Sequence, residues 1–174
     1  MLGREFTVDA PDTAWVGDIT YLWTQEGWLY LAVLLDLFSR RVVGWSVRPH
    51  LGQELAIAAL DRALFERGVP EGLLHHSDRG CQYTSNDYQK KLKGNHLTVS
   101  MSGKGDCWDN AVAESFFATL KVELGDSFSS RQAAHEALFD YIEVFYNRQR
   151  RHTSIGSISP TEAEARFFNR TVAA

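Results

Sequence analysis

Three acidic residues that lie far apart along the chain, Asp18, Asp78 and Glu114, carry the clearest potential for chemistry. Glu114 is predicted on a helix, away from the apolar stripe that includes Phe116 and Leu120. Carboxylates a few ångströms apart repel one another unless a divalent cation neutralises them. Oxygen ligands favour Mg²⁺ or Mn²⁺, and two such ions can promote in-line displacement at phosphorus. The three acids therefore predict a site for two catalytic ions, if the fold brings them together.

The segments around these acids predict an α/β fold with a five-stranded mixed sheet, three strands antiparallel and then two parallel, flanked by helices. The predicted strands are 15–22, 28–36, 41–47, 73–77 and 96–100. The first three are joined by short turns, which is typical of an antiparallel meander. The right-handed crossover rule then places the fourth strand beside the first, so that Asp78 lies near Asp18.

Helical segments alternate with the later strands and fill the end of the chain. They are predicted for about 16 residues after Gln53, from Thr84 or Ser85 to about Leu92, around Glu114, from Ser129 or Ser130 to about Tyr146, and from Pro160 onward. We expect residues 1–125 to form the catalytic core and residues 126–174 to form a helical extension packed on it.

The composition excludes some classes of protein and leaves the partner open. A hydrophobic fraction of 44% predicts a packed core rather than a disordered chain. Cys81 and Cys107 make neither a disulfide framework nor a zinc pattern, so we expect a reducing, cytoplasmic setting. The longest apolar run, Trp28–Leu35, is too short to span a bilayer, and no membrane partner is expected. The net charge of -4 does not indicate a nucleic-acid binder, although Asn147–His152 is strongly basic.

Three sequence blocks, one around each acid, resemble the signatures of insertion-sequence DDE transposases. They are Trp15–Tyr21 (WVGDITY), His76–Tyr83 (HSDRGCQY) and Asp109–Phe117 (DNAVAESFF). The blocks are most similar to the bacterial IS-three group, whose core resembles retroviral integrase. Between Asp78 and Glu114 lie 35 residues, the spacing of the D,D-35-E class, and Lys121 follows Glu114 by seven positions. Tyr146–His152, followed by Ser159 and Pro160, is similar to the block that closes such cores.

The resemblance implies a ribonuclease-H-like fold and a metal-dependent enzyme that cuts DNA to expose 3′-hydroxyls, which then attack another phosphodiester. It also implies that Asp18, Asp78 and Glu114 ligate the ions and that Asn110 and Lys121 contact DNA near the scissile phosphate. Because two element ends must be held together, we expect a homo-oligomer on DNA. Full-length relatives carry an upstream helix-turn-helix region, so the chain is expected to be either a fragment with the catalytic core or a protein that begins at an internal start.

Other basic residues are further candidates for contact with DNA, namely Lys104, Arg148, Arg151 and His152. Two interpretations of the arginine cluster at 148–151 remain open. The cluster fits a solvated helix end, where cations suit the helix dipole, and it fits equally well a phosphate clamp. The five tryptophans are expected mostly in the core, with Trp108 the best placed to meet a base.

Two rival functions remain open at this point. A plain nuclease would keep the fold and the ions but would hydrolyse DNA or an RNA–DNA hybrid without joining strands. A non-catalytic remnant would only bind DNA or its own kind, although the intact set of Asp18, Asp78 and Glu114 disfavours it.

Overall fold

One mixed sheet flanked by helices makes up the protein in the computed structural model, which describes residues 8–101 and 111–172. The strands are β1 (Ala14–Thr24), β2 (Gly27–Asp36), β3 (Val42–Arg48), β4 (Leu74–Ser77), β5 (Thr98–Met101) and the two-residue β6 (Ser127–Phe128). Their order across the sheet is β3-β2-β1-β4-β5, and β6 pairs with the end of β1. The five predicted strands, with the fourth beside the first, are confirmed, and β6 is an addition that the sequence pattern did not indicate.

The meander is built from long antiparallel pairs. β1 and β2 pair continuously from Trp15 opposite Asp36 to Thr24 opposite Gly27. Gly27 has a φ of 103°, a left-handed conformation that glycine adopts without strain, and this allows the tight turn between the two strands. β4 and β5 run parallel to β1, as the crossover rule predicts.

The helices cover both faces of the sheet. They are α1 (Gln53–Arg67), α2 (Cys81–Thr84), α3 (Asn86–Gly94), α4 (Ala111–Glu123), α5 (Arg131–Phe139) and α6 (Pro160–Val172). The hydroxyls of Ser85 and Ser130 accept hydrogen bonds from the first turns of α3 and α5, which confirms the predicted serine caps. No helix in the described ranges has the length and apolar character needed to cross a bilayer.

Alternate residues of β1 contribute to two apolar clusters because neighbouring side chains on a strand point to opposite faces. Trp15 packs with Leu60 of α1 and Leu92 of α3 on one face. Val16 packs with Leu120 of α4, and with α5 and the segment after it, on the other. Residues before and after position 125 thus share one cluster, and the division into a core and an extension stays a prediction.

A π-helical segment, Asp140–Tyr146, continues α5 and presents Asn147 to the sheet. The Asn147 side chain is 2% exposed, accepts a hydrogen bond from the Val42 amide at 2.9 Å and donates one to the Val42 carbonyl at 3.0 Å. It therefore satisfies two backbone groups of β3 in the way that a neighbouring strand would.

A second long-range tie involves Glu164 of α6, whose side chain is buried. Its carboxylate accepts hydrogen bonds from Arg41 at 2.8 Å, Arg67 at 2.9 Å and the Ser39 hydroxyl at 3.0 Å. Arg67 also pairs with Asp12 at 2.7 Å. This network fixes α6 to the end of α1 and to the turn that leads into β3.

The expectation that the tryptophans lie mostly in the core is wrong for two of them. Trp15 and Trp45 are buried, whereas Trp23 and Trp28 are about half exposed. Both lie at the end of the β1–β2 hairpin, beyond Gly17, the last β1 residue that pairs with β4. Trp108 lies outside the described residues.

Candidate active site

Asp18 and Asp78 lie at the same edge of two neighbouring parallel strands. The pairing of β1 with β4 ends at Gly17 opposite Ser77, and each aspartate is the next residue of its chain segment. Because parallel strands present their carboxyl ends at one edge of a sheet, the two carboxylates emerge side by side where the strands separate. The predicted proximity of these two acids thus follows from the strand register.

The carboxyl group of Asp18 is strongly affected by its surroundings. Burial, as the largest cause, and the negative charges of Asp78 and Glu114 together raise its pKa from 3.8 to about 7. A hydrogen bond of 2.7 Å from the Ile19 amide to Oδ1 opposes the shift. Asp18 therefore lies within electrostatic reach of both other candidate acids.

Asp78 is exposed and also forms the turn that follows β4. Its Oδ1 accepts a hydrogen bond of 2.9 Å from the Gly80 amide, which leads into α2. The cleft that contains Asp18 and Asp78 has a volume of about 180 Å³ and is also lined by Tyr83. Burial raises the pKa of the Tyr83 hydroxyl, and the negative charges of both aspartates add to this shift.

Glu114 projects from the first turn of α4 into solvent. The helix is anchored to the sheet by Ala113, Phe116 and Leu120, which are buried in the same cluster as Val16 of β1. Within residues 8–101 and 111–172, no three His, Cys, Asp or Glu side chains lie close enough together to hold an ion. The structure thus places two acids side by side, with Glu114 near enough to add its charge but not to complete a three-ligand cluster.

Lys121, the basic residue predicted to accompany the acids, lies on the same side of α4 as Glu114. Lys121 places its Nζ 4.8 Å from the centre of the Tyr21 ring, and Tyr21 also lines the cleft of Asp18. The ammonium group is therefore held at the rim of the cleft by a cation–π contact. Asn110 and Lys104, the other predicted contacts of this region, lie outside the described residues.

A separate basic cleft of about 470 Å³ runs beside α4. Its lining includes the cationic side chains of Arg40, Arg150 and Arg151 together with the hydroxyls of Ser115 and Thr119. Ser115 directly follows Glu114 in the chain, so the basic cleft lies beside the turn of α4 that carries Glu114.

The three candidate contacts at the end of the chain differ in their surroundings. Arg151 is exposed and lines the basic cleft, whereas Arg148 is exposed and lies outside its lining. Arg150 pairs with Glu123 at 2.9 Å, which offsets part of its charge. Burial and the nearby charge of Arg150 lower the pKa of His152 to about 4, so its imidazole is neutral at physiological pH. His152 can therefore offer a hydrogen bond but no charge.

Tyr21, Arg40 and Tyr83 line these two clefts and were not singled out by the sequence reasoning. Tyr21 and Tyr83 lie within the sequence blocks around Asp18 and Asp78, and this position is the signal by which they could have been found. Arg40 follows the turn after β2, far from any block, and only the fold brings it to α4.

The order of the strands, with helices on both faces, defines a ribonuclease-H-like fold. Solved structures with this fold are similar to the chain. A chain of the simian T-cell lymphotropic virus intasome in complex with PP2A regulatory subunit B56 gamma aligns with a TM-score of 0.73 at 20% identity, over 89% of this chain and 55% of that one. The HTLV-2 integrase catalytic core domain in complex with magnesium aligns with a TM-score of 0.69 at 19% identity, over 89% and 97%. At these identities the likeness concerns the fold alone.

The sequence also identifies the family. Residues 8–107 match the family described as the integrase core domain, and residues 95–160 match a second family with the same description. The chain therefore belongs to the integrase core domain family. It is 51% identical over 166 residues to transposase InsF of insertion sequence IS3A from Escherichia coli K12, which confirms the resemblance to the IS-three group. The match covers 94% of this chain, and the chain spans 58% of the length of that relative.

Proposed function

We propose that this chain is the catalytic core of a transposase that cleaves DNA at 3′ ends and transfers the cleaved strands to another DNA. The observation that carries the proposal is the placement of Asp18 and Asp78 side by side at the ends of β1 and β4, with Glu114 within electrostatic reach. The relationship to InsF, a transposase, supports the assignment of the reaction class.

The carboxylates fit divalent cations by their chemistry. Asp18, Asp78 and Glu114 are oxygen ligands of like charge, and a cation would offset their repulsion and would favour the ionised form of the buried Asp18. Asp18 and Asp78 would hold Mg²⁺ or Mn²⁺, and Glu114 would complete the ligand set if the first turn of α4 approached them. The magnesium in the HTLV-2 integrase core complex supports this choice of ion. When bound, a pair of ions would stabilise the charge that develops on the phosphate oxygens.

The residues of the chain hold the DNA and orient it. In strand transfer, the 3′-oxygen of one strand forms a bond to the phosphorus of a second strand while the bond from that phosphorus to its original 3′-oxygen breaks. Lys121, at the rim of the cleft, supplies a positive charge beside the reacting phosphate. The basic cleft with Arg40 and Arg151 binds the backbone further along the same strand. Asn110, Lys104, Arg148 and His152 remain proposed contacts.

A strand-transfer assay tests this function. A labelled duplex with pre-cut 3′ ends is incubated with a target plasmid and Mn²⁺, and joined products are separated from hydrolysed ones. We expect joined products from the unaltered chain and none from Asp18→Asn, Asp78→Asn or Glu114→Gln. The matched control is Asp140→Asn, which removes an exposed carboxylate at the start of the π-helical segment.

The same assay separates the rival functions. Hydrolysis without joining would assign the chain to nucleases that lack strand transfer. Binding of DNA with neither product would assign it to non-catalytic DNA-binding proteins. Because two ends must be joined together, the active form is proposed to be a homo-oligomer on DNA, as the intasome neighbour also supports.

A further inference from the structure

Three exposed aromatic side chains form a patch at the end of the β1–β2 hairpin. Tyr21, Trp23 and Trp28 are 57%, 44% and 47% exposed. The Trp28 ring lies between the other two, with centroids 5.2 Å from Tyr21 and 4.9 Å from Trp23 and nearly perpendicular planes. Cross-strand aromatic pairs stabilise a hairpin, but that role does not require half of each ring to face solvent. We call these three residues the aromatic patch.

The aromatic patch is continuous with the cleft of the candidate acids. Tyr21 lines that cleft together with Asp18 and Asp78. Tyr21 follows Asp18 by three positions of extended strand, which is about 10 Å at 3.3 Å per residue. Stacked nucleotides rise about 3.4 Å each along one strand. Because Asp18 and Tyr21 line one cleft, a strand whose phosphate reacts at Asp18 brings bases two or three nucleotides away to Tyr21, where the patch begins.

Cationic groups lie at both ends of the patch. The Nζ of Lys121 is 4.8 Å from the centre of the Tyr21 ring. At the hairpin turn, a guanidinium nitrogen of Arg131 lies 3.4 Å from the position that a Cβ would take on Gly27. Glu26 of the same turn accepts a hydrogen bond from the Arg131 amide. Aromatic rings combined with nearby cations are the groups that bind single-stranded nucleic acid, the rings by stacking on bases and the cations by pairing with phosphates.

We propose that the aromatic patch binds unpaired nucleobases of the DNA beside the cleaved position, and this inference rests on the proposed function. A second protein chain is the alternative occupant of an exposed apolar surface, but the area argues against it. Three aromatic side chains of roughly 200 Å² each, about half exposed, offer about 300 Å². A stable protein interface needs about 800 Å² from each partner. A nucleobase fits the smaller area.

A binding experiment without divalent ions tests the patch separately from catalysis. Two labelled duplexes are compared by fluorescence anisotropy in EDTA, one fully paired and one with a mismatched, frayed end. We expect the unaltered chain to bind the frayed duplex roughly tenfold more tightly. Trp28→Ala should abolish this preference, and Trp28→Phe should retain part of it. The matched control is Phe65→Ala, which removes a ring that is 90% exposed on α1.

A second measurement does not depend on variants that can lose the fold. A 2-aminopurine base in the frayed end should lose fluorescence when the unaltered chain binds, because the base stacks on an aromatic ring. Equal affinity for the two duplexes, with unchanged 2-aminopurine fluorescence, would overturn the proposal. Trp28→Ala that changes the sedimentation of the free protein but not the preference for frayed DNA would also overturn it, because the patch would then be a protein contact.

The proposed function and the aromatic patch can fail independently. Glu114→Gln should remove strand transfer and keep the preference for the frayed duplex. If the unaltered chain joins no strands in Mn²⁺ but prefers the frayed end, the proposed function fails and base binding by the patch is supported. If it joins strands and shows no preference, the patch proposal fails alone.

Discussion

Replacing Asp18 by asparagine is expected to stabilise the ion-free protein above neutral pH. Burial, together with the charges of Asp78 and Glu114, raises the pKa of Asp18 from 3.8 to about 7 in the folded state. The folded protein therefore binds this proton more tightly than the unfolded chain does. The favourable contribution of this proton to the free energy of unfolding is fully present below about pH 4 and is lost progressively as the pH rises to about 7. Above that pH, the ionised Asp18 lowers the free energy of unfolding by a constant amount.

The size of the effect follows from the two pKa values. At 1.36 kcal/mol per pKa unit, the penalty at pH 8 is about 4 kcal/mol, and at pH 5 it is about 2 kcal/mol. Asparagine has the shape of aspartate, and its side-chain oxygen can still accept the hydrogen bond from the Ile19 amide. Asp18→Asn should therefore raise the melting temperature at pH 8 by roughly 8–16 °C, as expected for a chain of this length, and by about half as much at pH 5.

Calorimetry in EDTA at the two pH values measures this difference, with Asp140→Asn as the control for loss of one negative charge. A titration with Mn²⁺ at pH 8 adds a second observation, because ligand at about 100 times its dissociation constant stabilises the folded state by about 2.7 kcal/mol. The unaltered protein should respond to Mn²⁺, and Asp18→Asn should respond much less. An Asp18→Asn protein that is no more stable than the unaltered one at pH 8 would refute the reasoning, as would a difference that does not change with pH.

Three further predictions concern long-range contacts and the basic cleft. Asn147→Ala should lower the free energy of unfolding by about 2–4 kcal/mol in urea denaturation, because both backbone groups of Val42 lose their partner. Glu164→Gln should lower the same quantity by about 3 kcal/mol, because the guanidinium of Arg67 loses a buried counter-charge. Arg151→Ala should weaken DNA binding at all sequences and reduce the slope of log K against log salt by about 1.

Matched variants show what would contradict these expectations. Asn169→Ala removes an exposed asparagine of α6, and Glu162→Gln removes an exposed glutamate of the same helix. If Asn147→Ala or Glu164→Gln destabilises no more than its control, the contact has no net effect on stability. Arg170→Ala removes an exposed arginine of α6 outside the basic cleft. An equal change in salt dependence from Arg170→Ala and Arg151→Ala would remove the cleft from the DNA path.

The parts of the fold that depend on local patterns were predictable from the sequence. Alternating and apolar segments with short turns gave the meander, and the crossover rule placed β4 beside β1. The proximity of Asp18 and Asp78 followed from those two steps because it depends only on where two parallel strands end. The position of Glu114 also depends on how α4 packs, which a helical pattern does not specify, and its distance from the other acids could not be predicted.

Other features depend on contacts between residues far apart in the chain. Asn147 reaches Val42 and Glu164 reaches Arg41 across more than a hundred residues, and neither side chain differs in type from an ordinary surface residue. β6 has two residues, too few to give a periodic pattern. Tryptophan is usually a core residue, so no sequence pattern indicated that Trp23 and Trp28 are exposed. Their exposure follows from their position at the end of the β1–β2 hairpin.

The direction of the chain after the π-helical segment depends on how many residues the segment contains rather than on which residues they are. In this segment the amide of Asn147 bonds to the carbonyl of Ile142, five positions back instead of four. The added residue turns everything after it by about 100° relative to an uninterrupted α-helix. Removing any one residue between Asp140 and Tyr146 would restore the ordinary winding and rotate Asn147 away from β3. Point substitutions leave this angular offset in place, so the exposed positions of this stretch should tolerate changes of side chain far better than a single deletion.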